Sequence, residues 1–187
     1  MKYLEILFAA IFISNIMFYK LEGFPTISKK TKLKSLMINS TKLAIFTFVS
    51  ALIVYPLNKY LFVGTTFSFL IPILIVLVLQ NVVVLSNKVV DKIQFEEART
   101  NILETFILED ALVVTILLLI LQSETYVGAL VEVVGYMIGF MLMMLLLYTI
   151  KPKLDLPGIP KSFRGFPILL ITTGLIAMIF MGLAGIL

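Results

Sequence analysis

The chain of 187 residues contains no cysteine, no histidine and no tryptophan. Without cysteine it forms no disulfide and supplies no thiolate to a metal or to an iron–sulfur cluster. Without histidine it lacks the commonest metal ligand and the side chain most used as a general base near neutral pH. Charge is also scarce: 14% of residues are Asp, Glu, Lys or Arg, against about a quarter in an average soluble domain. Phosphate-binding loops, dinucleotide fingerprints and Ser/His/Asp sets are missing as well.

What fills the chain is apolar: 60% of its residues, with a mean hydropathy of +1.10. A soluble globule of this length has too little interior to hide that surface. Six membrane spans of about 20 residues each need about 120 residues, close to the apolar share. Breaks in the hydropathy place the spans at Tyr3–Tyr19, Leu43–Val63, Thr66–Ser86, Ile102–Leu121, Tyr126–Ile150 and Phe166–Leu187. The runs are continuous and not alternating, so they predict helices and exclude barrel strands. The first is read as a mature span and not a leader, because Asn15-Ile16-Met17-Phe18-Tyr19-Lys20 offers no small-residue cleavage site. With tryptophan absent, tyrosine supplies most of any aromatic belt. The fold class is therefore an all-α integral membrane protein with six transmembrane helices.

Lys and Arg orient it. Six spans put the first, third and fifth connections on one side. Those connections carry Lys20, Lys29, Lys30, Lys32, Lys34, Lys42, Lys88, Lys92, Arg99, Lys151, Lys153, Lys161 and Arg164, leaving only Lys2 and Lys59 of 15 basic residues for the other. Basic connections stay cytoplasmic, so both termini are expected outside a multi-pass protein of the cytoplasmic (inner) membrane. Three spans precede Glu96-Glu97 and three follow. An odd number per half turns residues 96–187 upside down relative to 1–95, the arrangement of inverted-repeat transporters with sites at broken helices.

The fourth span opens on Asn101 and three acids, Glu104, Glu109 and Asp110. If the helix runs from Ile102 to Leu121, Glu109 and Asp110 sit near its middle, where an acid costs about 2.5–3.5 kcal/mol. Adjacent residues point about 100° apart, so both cannot face lipid cheaply. A cation or proton site is one reading, and a carboxyl kept protonated by desolvation is another. The alternative is a helix that starts later. From Ala111 to Leu121 it would reach about 16 Å, short of a core of about 30 Å. The acids then lie at depth unless this is a half-helix ending in protein.

Other features have plainer readings. Gly23 and Pro25 stop the first helix, either at the membrane surface or in a re-entrant turn buried against protein. The run Lys29-Lys30-Thr31-Lys32-Leu33-Lys34 suits anionic headgroups of the bilayer. No soluble basic domain accompanies it, so nucleic acid is not expected as a partner. Asn15, Gln80, Asn81 and Glu132 fall within spans and are expected to pair with neighbouring helices. Gly135 and Gly139 have the spacing that lets two helices approach closely.

The last third carries a more specific signature. Gly139-Phe140, then Ile159-Pro160-Lys161-Ser162-Phe163-Arg164-Gly165, then Leu170-Ile171-Thr172-Thr173-Gly174-Leu175-Ile176-Ala177 and Phe180-Met181-Gly182-Leu183-Ala184-Gly185 resemble the RnfA family of Rnf complexes. The NqrE component of the sodium-pumping NADH:quinone reductase (Nqr) is similar. Asn15, Leu21-x-Gly23-Phe24-Pro25, Ser28-Lys29-Lys30 and Gln80 fit more loosely, and the stretch from about Val82 to Thr125 fits poorly.

The resemblance implies a six-helix, non-catalytic subunit of a translocase-type oxidoreductase, paired with a homologous inverted membrane subunit (RnfE/NqrD-like). Such pairs share a [2Fe–2S] cluster, two cysteines from each chain, which relays electrons between flavins while sodium or protons move. Those cysteines fall in a Gly-x-Cys-Pro-like turn and an Asn-Cys-Ala-like stretch. Here the places read Gly23-Phe24-Pro25 and Glu109-Asp110-Ala111, with Phe24 and Asp110 where the thiolates belong. Phe cannot ligate iron, and a carboxylate replaces thiolate poorly. The chain is expected to bind no cofactor by itself, with flavin and iron–sulfur groups left to partner subunits. Three readings follow: a divergent member of the complex, a redox-silent paralogue that transports an ion or small solute with Glu104, Glu109 and Asp110 as candidate ligands, or an assembly subunit.

Overall fold

The computed structural model describes residues 2–20, 33–64, 66–93, 111–154 and 160–182, and among them no residue is in a β-strand. Among the described residues, each of the six apolar segments contains helix, and local chemistry accounts for several of the starts and breaks.

The first segment is not one helix. Helix α1 (Lys2–Phe8) widens into a π-helical turn at Ala9–Ile13, stops at Ser14, and restarts as α2 (Ile16–Lys20). The Ser14 amide reaches back five residues to the Ala9 carbonyl at 2.8 Å, the spacing of a π turn. Ser and Asn lower helix preference because their side chains compete for backbone hydrogen bonds. A Ser14-Asn15 pair inside an apolar run is therefore a natural place to break.

Helix α3 (Leu33–Leu61) begins ten residues before the expected Leu43. Hydropathy finds only its apolar part, whereas its buried seam runs on through Leu36, Ser40, Leu43, Thr47, Ser50, Val54 and Asn58. Those steps of three and four residues keep one face inward over six turns. Lys34 and Lys42 thus lie on helix, where a long stem can carry its charge toward water. Pro56 sits inside α3 and has no N–H to give the Leu52 carbonyl. The Tyr126 hydroxyl takes that acceptor instead, at 3.4 Å.

A 3-10 turn at Thr66–Leu70 leads into α4 (Ile71–Ile93), with Pro72 in the first turn where an N–H is not needed. Helix α5 spans Ala111–Ile120 and buries Leu112, Val113, Ile116, Leu117 and Ile120 on one face. Thr125 caps α6 (Tyr126–Leu154), accepting the Gly128 amide at 3.1 Å. A single 3-10 turn, Lys161–Phe163, precedes α7 (Phe166–Gly182). Gly165 between them has φ +81°, a left-handed conformation that glycine adopts without steric cost. The Pro160-to-Gly165 motif is thus a device for entering α7.

By length and composition, Leu36–Leu61 within α3 and the whole of α6 are long and apolar enough to cross a membrane. Shorter apolar helical stretches run over Tyr3–Phe18, Phe67–Val82, Ala111–Ile120 and Phe166–Gly182. Much of the apolar surface faces outward, including Ile73, Leu77, Val84, Leu175 and Ile179, as expected where lipid and not water surrounds the chain. The chain divides into two compact units, one of residues 1–38 with 135–187 and one of 39–134.

Candidate functional site

The residues singled out from sequence as ion ligands, Glu104, Glu109 and Asp110, lie outside the described residues, as does Phe24 with its Gly23–Pro25 turn. The described structure instead brings together the broken first span and the glycines of α6.

Asn15 is 2% exposed and works on both sides of the break. Its Nδ2 donates to the Ile11 carbonyl at 2.9 Å, and its Oδ1 accepts the Met17 amide at 3.1 Å. One side chain thereby satisfies a carbonyl left by the end of the π turn and an amide left by the start of α2. Among apolar neighbours such as Ile16 and Met17, those two backbone groups would otherwise be costly.

The break is seated on α6. A Cβ placed on Gly135 would lie 2.5 Å from Ala10 Cβ, and one on Gly139 would lie 2.7 Å from the Ile11 carbonyl oxygen and 2.8 Å from Asn15 Nδ2. The two glycines admit the backbone of the first span where any larger residue would hold it off. Their spacing in sequence predicts a close helix approach without naming the partner; the structure shows an approach within the chain. Phe180 of α7 contacts both sides of the break, its ring 5.6 Å from Phe12 and 5.3 Å from Phe18. Nothing in the sequence pattern singles out Phe180 for that role, although it stands in the Phe-Met-Gly motif.

In the second unit, a polar brace surrounds the turn before α6. The Ser123 hydroxyl donates to Glu132 at 2.6 Å, and the Ser123 carbonyl accepts the Tyr55 hydroxyl at 2.9 Å. The Tyr55 and Tyr126 rings meet at 5.5 Å. Glu132 thus finds its polar partner in the turn before its own helix and not on a neighbouring helix. No sequence pattern points to Ser123, Tyr55 or Tyr126 as a brace; Pro56 is the available signal, since it orphans the carbonyl that Tyr126 reaches. Gln80 and Asn81 differ from expectation, because both are exposed on α4. Among the described residues, Ser50 Oγ and Asn58 Oδ1 are buried in α3 without a hydrogen-bond partner.

The donor set does not fit an iron–sulfur cluster. The chain has neither cysteine nor histidine, and among the described residues no three acids come together as a metal site. What the broken span offers is oxygen and amide chemistry around Asn15.

No family model matches the chain. It is similar along its length to curated proteins named as the A component of an ion-translocating oxidoreductase complex. The one from Shewanella sp. strain ANA-3 is 26% identical over 99% of this chain and 98% of its own. That from Shewanella putrefaciens has the same identity and coverage, and that from Shewanella oneidensis is 25% identical over the same shares. The resemblance read from the carboxy-terminal motifs thus extends over nearly the whole chain.

Proposed function

We propose that this chain is a membrane component of an Rnf-type ion-translocating electron-transfer complex, divergent in having no cluster ligands of its own. The observation that carries the reading is end-to-end similarity to proteins named as the A component of such complexes. The broken first span supports it, since interrupted helices are where membrane transporters place ion sites. The finer reading has six spans in two inverted repeats, 1–95 and 96–187, both termini outside the inner membrane, and a homologous inverted subunit beside it. Flavin and iron–sulfur groups belong to other subunits, because Phe24 and Asp110 stand where the resemblance places thiolates.

Glu109 and Asp110, with Glu104 nearby in sequence, are the acids through which this chain acts on the moving ion. The test is redox-driven uptake of sodium or protons by vesicles carrying the complex. Asp110→Asn is expected to lower uptake while leaving the composition of the complex unchanged. Unaltered uptake removes Asp110 from the ion path.

The absence of cysteine favours one second reading, a redox-silent paralogue that moves an ion or small solute without electron transfer. Uptake that proceeds without any electron donor would select it.

A further inference from the structure

The outer face of α4 sets two amides into an otherwise apolar, outward-facing stripe. Pro72, Ile73, Val76, Leu77, Gln80, Asn81, Val84 and Leu85 are all exposed, while Ile75, Leu79 and Val82 are buried on the opposite side. The exposed positions recur in pairs every four residues, a continuous stripe of about 20 Å at 1.5 Å per residue. Two apolar pairs precede and one follows the pair of adjacent amides, Gln80 and Asn81.

Both amides are exposed, and the fold engages Asn81 only through its own helix, its Nδ2 donating to the Leu77 carbonyl at 2.8 Å. Hydrocarbon offers an amide no hydrogen bonds, so a stripe of this kind is disfavoured against lipid. It is favoured against another helix bearing hydroxyl or amide side chains at the same depth. Fully apolar outward faces, such as Ile171, Leu175, Met178 and Ile179 on α7, carry no such requirement.

We infer that the exposed stripe of α4 centred on Gln80 and Asn81 is a docking face for a transmembrane helix of another subunit, one presenting Ser, Thr, Asn or Gln side chains to the two amides. The inference rests on the proposed membership of a complex, which supplies other membrane subunits as the occupant; a second copy is an outcome of the test. The amides fix the depth and rotation of the incoming helix, and the flanking aliphatic side chains supply its packing.

The experiment uses the whole complex in its native membranes, with a photo-reactive benzoylphenylalanine at Val76 or Val84. Both positions are expected to crosslink to one transmembrane segment of one other subunit, with a hydroxyl or amide residue facing position 80 or 81. In Gln80→Leu/Asn81→Leu that crosslink is expected to fall at least tenfold, with the variant chain melting no lower by itself. Gln80→Asn, which keeps an amide, is expected to retain the crosslink. Crosslinks to lipid alone, to a second copy or within this chain overturn the inference, as does an unchanged yield in the double variant. If the chain purifies with no other subunit before any crosslinking, the proposed membership itself has failed, and the two failures are told apart.

Discussion

Gly139 lies so close to Asn15 that a Cβ on the glycine would stand 2.8 Å from the Asn15 Nδ2. The same Nδ2 holds the Ile11 carbonyl, so a side chain at 139 displaces the group that ties the break together. Gly139→Ala is therefore expected to destabilise the chain by about 1–3 kcal/mol, the usual range for overpacking a close contact. Gly135→Ala meets Ala10 Cβ at 2.5 Å, and Ala10→Gly in the same chain should recover part of its loss. Ala10→Gly has no methyl to relieve at position 139, so Gly139→Ala should gain nothing from it. Thermal melting in detergent reads all four variants.

Asn15 carries both hydrogen bonds of the break. Asn15→Ala leaves the Ile11 carbonyl and the Met17 amide without their partner in a buried place, at a cost of about 1–3 kcal/mol. Asn15→Ser keeps a side-chain oxygen for the Met17 amide, and serine is as good an N-cap as asparagine. The serine variant should thus melt between wild type and Asn15→Ala. Equal melting of all three shows that the break does not depend on this side chain.

These residues mark how far the sequence can be read. Tyr126 and Phe166 are expected as the starts of spans, and they are the first residues of α6 and α7. Long apolar runs and a cap such as Thr125 act locally. The start of α3 differs from expectation by ten residues because Lys34 and Lys42 interrupt hydropathy without interrupting a helix. The break at Asn15 shows in sequence only as a Ser14-Asn15 pair in an apolar run. Its meaning depends on distant parts of the chain, Gly135, Gly139 and Phe180. The acids at 104, 109 and 110 are conspicuous in sequence but lie outside the described residues.

Pro56 and Tyr126 make a linked pair. The proline removes the donor that would cap the Leu52 carbonyl, and the tyrosine hydroxyl supplies one from α6. Tyr126→Phe is expected to cost about 0.5–1.5 kcal/mol. In a Pro56→Ala background the backbone satisfies Leu52 by itself, so the same change should cost markedly less. A double-mutant cycle in detergent measures the difference, and additive losses would show that Tyr126 does not serve the proline gap.

The central claim, membership of an electron-transfer complex without cluster ligands in this chain, is tested most directly by purifying the tagged chain from its native membranes in mild detergent and quantifying flavin, iron and co-purifying subunits. The account predicts that flavin-bearing subunits come with it, and that any [2Fe–2S] signal of the preparation is unchanged in Phe24→Ala and Asp110→Ala. A chain that purifies without flavin, or a cluster signal that disappears with Asp110→Ala, contradicts it.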